Sequence, residues 1–206
     1  MDHFFSGSLN FPAALVFFPL TYFFDDTLTE VYGFGVSRYI IWGGLICNML
    51  LTLGTMITVR LPPSSEWHYQ HAYSLIYNSE FRILIASTTG YFFGEFVNSI
   101  ILSRMKIITA GKWLWLRAIL STSIGVLLDS VIFCNIAFTG VLPSHIIWQM
   151  VMVQYFFKMG YEVMALPLTY LITGYLKAKD KIDYYDYGTR YNPFSLAIDD
   201  EDGVRS

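Results

Sequence analysis

Long unbroken apolar blocks organise this chain, with none of the strict alternation of a half-buried strand. Four of them, Tyr39 to Leu61, Ile83 to Leu102, Leu116 to Phe138 and Ile146 to Leu176, reach the length of about 20 mostly apolar residues that a helix needs to cross a bilayer. A fifth, Phe11 to Phe24, is about 14 residues long and contains Pro12 and Pro19. It reaches spanning length only by absorbing part of Asp25-Asp26-Thr27-Leu28-Thr29-Glu30, which suits a short, broken or re-entrant segment. The pattern predicts helical spans near 11–33, 37–61, 81–104, 114–139 and 145–177 in a single transmembrane domain over 1–197. The last residues, 178–206, form a C-terminal tail whose acidic end, Ile198 to Ser206, is expected to be solvated. Met1-Asp2-His3-Phe4 lacks the basic start of a signal peptide, so no cleavable leader is expected. Thr27-Leu28-Thr29-Glu30 has capping-box spacing, which would start a helix there.

Composition agrees with the pattern. Of 206 residues, 54% are hydrophobic and only 14% charged, with a mean hydropathy of +0.46. A soluble domain carries about a quarter charged residues. Aromatics make up 18%, which suits lipid contact and interfacial belts. The two cysteines, Cys47 and Cys134, exclude a disulfide-stapled module and read as small buried hydrophobes. A net charge of −3, with the basic residues dispersed, argues against nucleic acid as a partner.

Lys and Arg in the loops set the orientation. Arg104, Lys106, Lys112 and Arg117 flank one turn, and Lys177, Lys179, Lys181 and Arg190 follow the last block. The Pro62–Ser79 loop and the Thr139–His145 turn hold no Lys or Arg. The basic turn and tail are therefore placed in the cytoplasm, giving five spans with the N-terminus out and the C-terminus in. The loop with Trp67, Tyr69, Tyr73 and Tyr77 is expected along the outer interface.

The chemistry sits at mid-depth. Glu95 lies near the centre of its block with Asn98 at i+3, and Asp129 lies near the centre of the next. Gln154, Lys158 and Glu162 make one stripe at i, i+4 and i+8 on a helix. A charge at the bilayer centre costs on the order of 2.5–3.5 kcal/mol, so these groups are expected to converge on an interior cavity or pair together. In the plainer reading Lys158 neutralises Glu162 or Asp129 and the cluster only joins helices. Asn48 reads as an interhelical hydrogen-bond partner. One cation against three acids leaves carboxylate over, favouring a ligand with N–H donors or a positive charge. Tyr91, Phe92, Tyr155 and Tyr161 border these positions and would suit a flat ligand, although ordinary packing explains such aromatics as well. His68 and His71 share a loop and read as surface residues. No phosphate loop, His-Glu-x-x-His, Cys-x-x-Cys or Gly-x-Ser-x-Gly motif is present. No metal, cofactor or enzymatic activity is expected, and the alternative of an intramembrane enzyme using Glu95 and Asp129 lacks a nucleophile.

Several ordered motifs then resemble one family. Phe18-Pro19-Leu20-Thr21-Tyr22 with Asp26 and Thr29-Glu30-Val31-Tyr32-Gly33 is followed by Gly94-Glu95-Phe96-Val97-Asn98-Ser99. Trp115-Leu116-Arg117 with Ser121-Thr122, Asp129-Ser130 with Ile132-Phe133, and Gln154-Tyr155 with Lys158, Tyr161-Glu162 and Pro167-Leu168-Thr169-Tyr170 continue the series. Tyr185-Asp186-Tyr187-Gly188-Thr189 with Asn192-Pro193-Phe194 closes it. From Phe11 to Phe194 the chain resembles the queuosine precursor transporters, also called the vitamin uptake transporter family. Members usually carry one more hydrophobic helix ahead of the segment matching Phe11–Phe24; here Met1 to Asn10 precede it.

The resemblance, with the spans, implies an all-α integral membrane bundle of about five to six transmembrane helices, similar to the substrate-binding subunits of energy-coupling-factor importers. It implies a bacterial inner-membrane importer of 7-cyano-7-deazaguanine (preQ0) and 7-aminomethyl-7-deazaguanine (preQ1), salvaged for queuosine in tRNA. The alternative it leaves open is a substrate-binding subunit that needs a separate ATPase module. Partners would be the small base, the lipid bilayer, and either a second copy or an energy-coupling module. The substrate-binding residues would be Glu95, Asn98, Asp129, Gln154, Lys158, Glu162, Tyr91 and Asp26. Glu95, or else Glu162, would accept the paired N1–H and 2-amino donors of the base. Asn98 and Gln154 would serve its O6, N3 or N9–H, and Asp129 would face the aminomethyl cation. Lys158 would set the charge state of Glu162.

Overall fold

The computed structural model describes residues 19–64, 67–71, 74 and 80–195. Five helices carry the architecture: α1 (Pro19–Tyr32), α2 (Phe34–Arg60), α3 (Glu80–Ile108), α4 (Leu114–Phe138) and α5 (Ser144–Asp180). Among the described residues there is no strand beyond an isolated bridge between Thr139 and Leu142.

The helices alternate in direction. The end of α1, the start of α2, the end of α3, the start of α4 and the end of α5 meet at one end, where Glu30, Lys106, Arg117 and Lys177 are joined. At the other end Arg82, early in α3, donates to the carbonyls of Ile136 and Thr139 at the close of α4. At 1.5 Å per residue, α3 with 29 residues and α5 with 37 are about 43 and 55 Å long, more than a hydrocarbon core of about 30 Å. By length and apolar composition alone, α2 and α4 qualify as membrane spans. In α3 and α5 the buried charges dilute that signal.

The distribution of polarity is inverted relative to a water-soluble fold. Leu51 is 73% exposed while Glu95 is 0% exposed, and Ile46, Leu50, Ile57, Met164 and Leu171 also face outward. Such an outward apolar surface suits lipid, while two buried clusters, around Phe34, Ile41, Leu45 and Phe96 and around Cys134, Ile147, Met150 and Val151, pack inside. Cys134 is buried as expected, but Cys47 stands on the outward face of α2, where lipid solvates it equally well.

α1 occupies the middle, packed against α2, α3 and α5. It runs from Pro19 in the described chain, and residues 11–18 of the anticipated first span lie outside the described residues. Thr27 does not cap it: the hydroxyl lies mid-helix and donates back to the Phe23 carbonyl at 2.8 Å. Gly33, at φ +82°, breaks α1 from α2. A Cβ there would stand 2.4 Å from the Tyr184 ring, so both the backbone angle and the returning tail require glycine. α3 and α4 approach through Gly94 and Gly125. A Cβ on Gly125 would lie 2.7 Å from the Gly94 carbonyl oxygen, and one on Gly94 would lie 2.8 Å from both Asp129 Cβ and the Tyr22 hydroxyl. Small residues at a helix contact let the backbones close up, and here the closeness brings Asp129 against α3 and α1.

The tail is not a detached appendage as far as Ser195. After Lys181 turns the chain in the left-handed region, residues 182–195 fold back over the end of the bundle. Asp186 is buried and accepts from the Phe34 amide at 3.0 and 3.2 Å and from Ser103 at 2.6 Å. Trp42 donates to the Pro193 carbonyl at 2.8 Å, and Phe194 packs on Trp42 and Phe92. The acidic end, Ile198 to Ser206, lies outside the described residues.

Candidate functional site

Each helix sends polar groups to the inside of the bundle. From α1 come Tyr22, Asp25 and Asp26, from α2 Ser37, and from α3 Glu95, Asn98 and Ser99. From α4 come Thr122 and Asp129, and from α5 Gln154, Lys158 and Glu162; all are buried. The spacing explains the convergence: Tyr22 and Asp26 are one turn apart on α1, as are Glu95 and Ser99 on α3 and Lys158 and Glu162 on α5.

Asp26 is the best-connected of the expected site residues. Asn98 Nδ2 donates to its Oδ1 at 2.6 Å, and Thr122 donates to its Oδ2 at 3.2 Å. Asp25 and Asp26 are both buried inside the bundle, and Glu30, one turn on from Asp26, reaches the basic end. Glu162 lies within electrostatic reach of Asp26, and its Oε1 has no hydrogen-bond partner among the described residues. Tyr22 is surrounded electrostatically by Asp25, Asp26, Glu95 and Asp129.

The Lys158 ammonium forms an ion pair and hydrogen bond with Asp129 Oδ2 across α4 and α5, one of the two partners that the plainer reading of the sequence gave it. Asp129 is drawn in by the α3–α4 contact, and a cross-helix pair removes two charges at once. Gln154 Nε2 donates to Cys134 Sγ at 3.0 Å. Tyr91 is half-buried, with its hydroxyl against Gly44 and its ring within electrostatic reach of Glu95 and Asp25. Tyr155 shares a hydrogen bond with Ser123 at 2.7 Å. Asn48 is half-buried on α2, and His68 and His71 are exposed. Trp67 and Tyr69 are exposed, whereas Tyr73 and Tyr77 lie outside the described residues.

A second charged constellation, at the basic end, was not anticipated as a unit. Arg117, read as a loop-flanking charge, is fully buried and holds Glu30 with two nitrogens at 2.9 and 3.1 Å. Lys177 reaches Glu30 at 2.7 Å and Asp183 at 2.8 Å, and Lys106 reaches Asp183 at 2.6 Å and the Tyr184 carbonyl at 2.8 Å. Glu30 following Asp26 at i+4 on α1 was the available signal.

Among the described residues, no group of three or more His, Cys, Asp or Glu is arranged to hold a metal ion. Among the described residues, Asp25, Asp26, Glu95, Asp129 and Glu162 share the interior with the ammonium of Lys158. Such a cluster suits protons, cations or ligands rich in N–H donors.

Outward apolar helices around an acidic, hydrogen-bonding interior describe a membrane-embedded carrier of a polar solute. The family described as "putative vitamin uptake transporter" matches residues 12–172, and this chain belongs to it. It is also similar to the "probable queuosine precursor transporter" of Bacillus subtilis (strain 168), 26% identical over 156 residues, covering 75% of this chain and 68% of that protein. No solved structure matches.

Proposed function

We propose that this protein imports the queuosine precursors preQ0 and preQ1 across the bacterial inner membrane for salvage into tRNA. The observation that carries the reading is the Asp26–Asn98–Thr122 constellation with Glu95 and Glu162 beside it, in a chain whose similar relative is named for queuosine precursors. A deazaguanine base offers N1–H and a 2-amino group side by side, and a carboxylate accepts both at once. Glu95, with Glu162 as second choice, takes that role. Asn98 and Gln154 serve the remaining edges of the base, and Asp26 and Asp129 balance the aminomethyl cation of preQ1. Tyr91 flanks the base, and Lys158 keeps Asp129 oriented. The bundle is one domain over 1–197 with five to six spans, and its basic end and residues 178–206 face the cytoplasm. That orientation puts Lys106, Arg117 and Lys177 on the side where positive charge is retained.

The test is queuosine in tRNA from a bacterium unable to make the precursors, lacking its own importer and fed limiting preQ0 or preQ1. Expression of this chain restores queuosine, and Glu95→Ala, present in the membrane at the same level, restores less than about a tenth, the loss of about 1.4 kcal/mol of binding. Equal restoration by the variant removes Glu95 from the site. Restoration only alongside added ATPase subunits favours the substrate-binding-subunit reading instead.

A further inference from the structure

Asp25 is the buried acid that base recognition leaves unused. It lies on α1, 3% exposed, between Ser37 of α2 and Ser99 of α3. Ser37 Oγ contacts its Oδ1, Ser99 Oγ lies 2.5 Å from its Oδ2, and the two hydroxyl oxygens are 2.9 Å apart. Three oxygen-to-oxygen contacts thus close a ring across three helices. Each contact needs one hydrogen, and each serine hydroxyl carries one. Two hydroxyls therefore leave one contact without a hydrogen while Asp25 is ionised, setting lone pair against lone pair in a buried place. A proton on Asp25 completes the ring: the carboxyl donates to one serine, that serine to the other, and the second back to the free carboxyl oxygen.

The surroundings point independently to a positive occupant. Within electrostatic reach of Asp25 are Asp26 and Tyr22 on α1 and Tyr91 and the amide of Asn98 on α3, and Glu95 of α3 reaches the same two tyrosines. Asp129 on α4 stands beyond, already paired with Lys158 of α5, and Glu162 of α5 faces Asp26 with its buried Oε1 lacking a hydrogen-bond partner among the described residues. The nearest cation on α2, Arg38, is directed to the Asn192 carbonyl at 3.2 Å. Among the described residues, no ammonium or guanidinium forms an ion pair with Asp25.

We propose that Asp25, Ser37 and Ser99 form a proton-coupling site, distinct from the base-binding residues. One O–H bond forms on Asp25 with a proton taken from water on one side of the membrane. It breaks when α1 and α2, jointed at Gly33, part from α3, and the proton passes to water on the other side. The ring senses helix separation because its members sit on three different helices. This inference rests on the transporter reading of the chain.

The experiment uses purified protein in liposomes at clamped membrane potential, with labelled preQ0 as probe because its nitrile carries no titrating amine. With one proton per substrate, an inside-alkaline gradient of one pH unit supports about tenfold accumulation by wild type. Asp25→Asn is expected to exchange label to equilibrium without concentrating it. Accumulation by that variant equal to wild type, or accumulation that follows a sodium gradient instead, overturns the proposal. If neither protein moves or binds preQ0, the substrate reading fails, and infrared spectroscopy still decides the coupling site. The carbonyl band of a protonated carboxyl is expected to disappear in Asp25→Asn and to persist in Glu162→Gln; a band unaffected by Asp25→Asn overturns the proposal. Should Asp25→Asn not fold, Ser99→Ala opens the ring without changing charge and is expected to move the pH midpoint of that band. An unmoved midpoint overturns it equally.

Discussion

Two buried charged regions of this bundle follow opposite rules. At the basic end, Glu30 and Asp183 are matched by Arg117, Lys106 and Lys177, and every one of these side chains has an opposite charge within 3.1 Å. In the interior, among the described residues, Asp25, Asp26, Glu95, Asp129 and Glu162 are buried together, the Lys158 ammonium pairs with Asp129, and Glu162 Oε1 has no hydrogen-bond partner. A saturated network fixes helices, because removing any member strands its partner in a poorly solvated place. An unsaturated one leaves capacity for something else to bind. The basic end is built as a clasp, and under the proposed function the interior is the receptor, although both are made of the same few residue types.

Substitutions at the clasp should therefore reduce stability, and those in the interior should reduce function. The largest effect is expected for Arg117→Ala, which leaves the Glu30 carboxylate with lysines only and is expected to cost about 3–5 kcal/mol. Thermal unfolding of the detergent-purified variant checks it, and an unfolding midpoint like wild type would erase the distinction between the two regions. Glu162→Gln should do the reverse. It keeps shape while removing one surplus negative charge, so the unfolding midpoint is expected to hold or rise while preQ1 affinity, by calorimetry, falls about tenfold or more. A variant that unfolds easily yet binds normally would make Glu162 a structural residue.

The smallest effect concerns acid. Burial pushes the Asp183 carboxyl upward, but hydrogen bonds from Lys106 and Lys177 outweigh it and hold the group below the usual aspartate range. A carboxyl lower in the folded than in the unfolded chain stabilises the fold above the unfolded value and loses that contribution as pH falls through the folded one. Wild type is therefore expected to weaken below about pH 4, the ordinary aspartate value, and Asp183→Asn to weaken less over that range. Unfolding midpoints measured across the acid range distinguish the two, and parallel curves would remove Asp183 from the clasp.

Much of this was legible in residue order because a bilayer penalises polar groups so strongly. Glu95, Asn98, Gln154, Lys158 and Glu162 stood out as polar positions in apolar helices, and helical spacing aligned them inward. What the spacing did not carry was the partner across helices. Lys158 sits one turn from Glu162 in sequence, yet it pairs with Asp129, because α4 and α5 pack directly against each other. Arg117, Lys106 and Lys177 were legible as basic residues at one end of the spans, but their burial belongs to a network with Glu30 and with Asp183 of the returning tail.

The sequence by itself determined that long apolar helices dominate this chain and which polar residues fall within them. Those follow from local chemistry: apolar length, helical period and the cost of charge in hydrocarbon. Only the tertiary structure decided which acid meets which base, that Asp25 joins Ser37 and Ser99, and that residues 182–195 seal one end. Such pairings join residues as far apart as Phe34 and Asp186, and their energy depends on distances of a few ångströms that only the packing of helices sets.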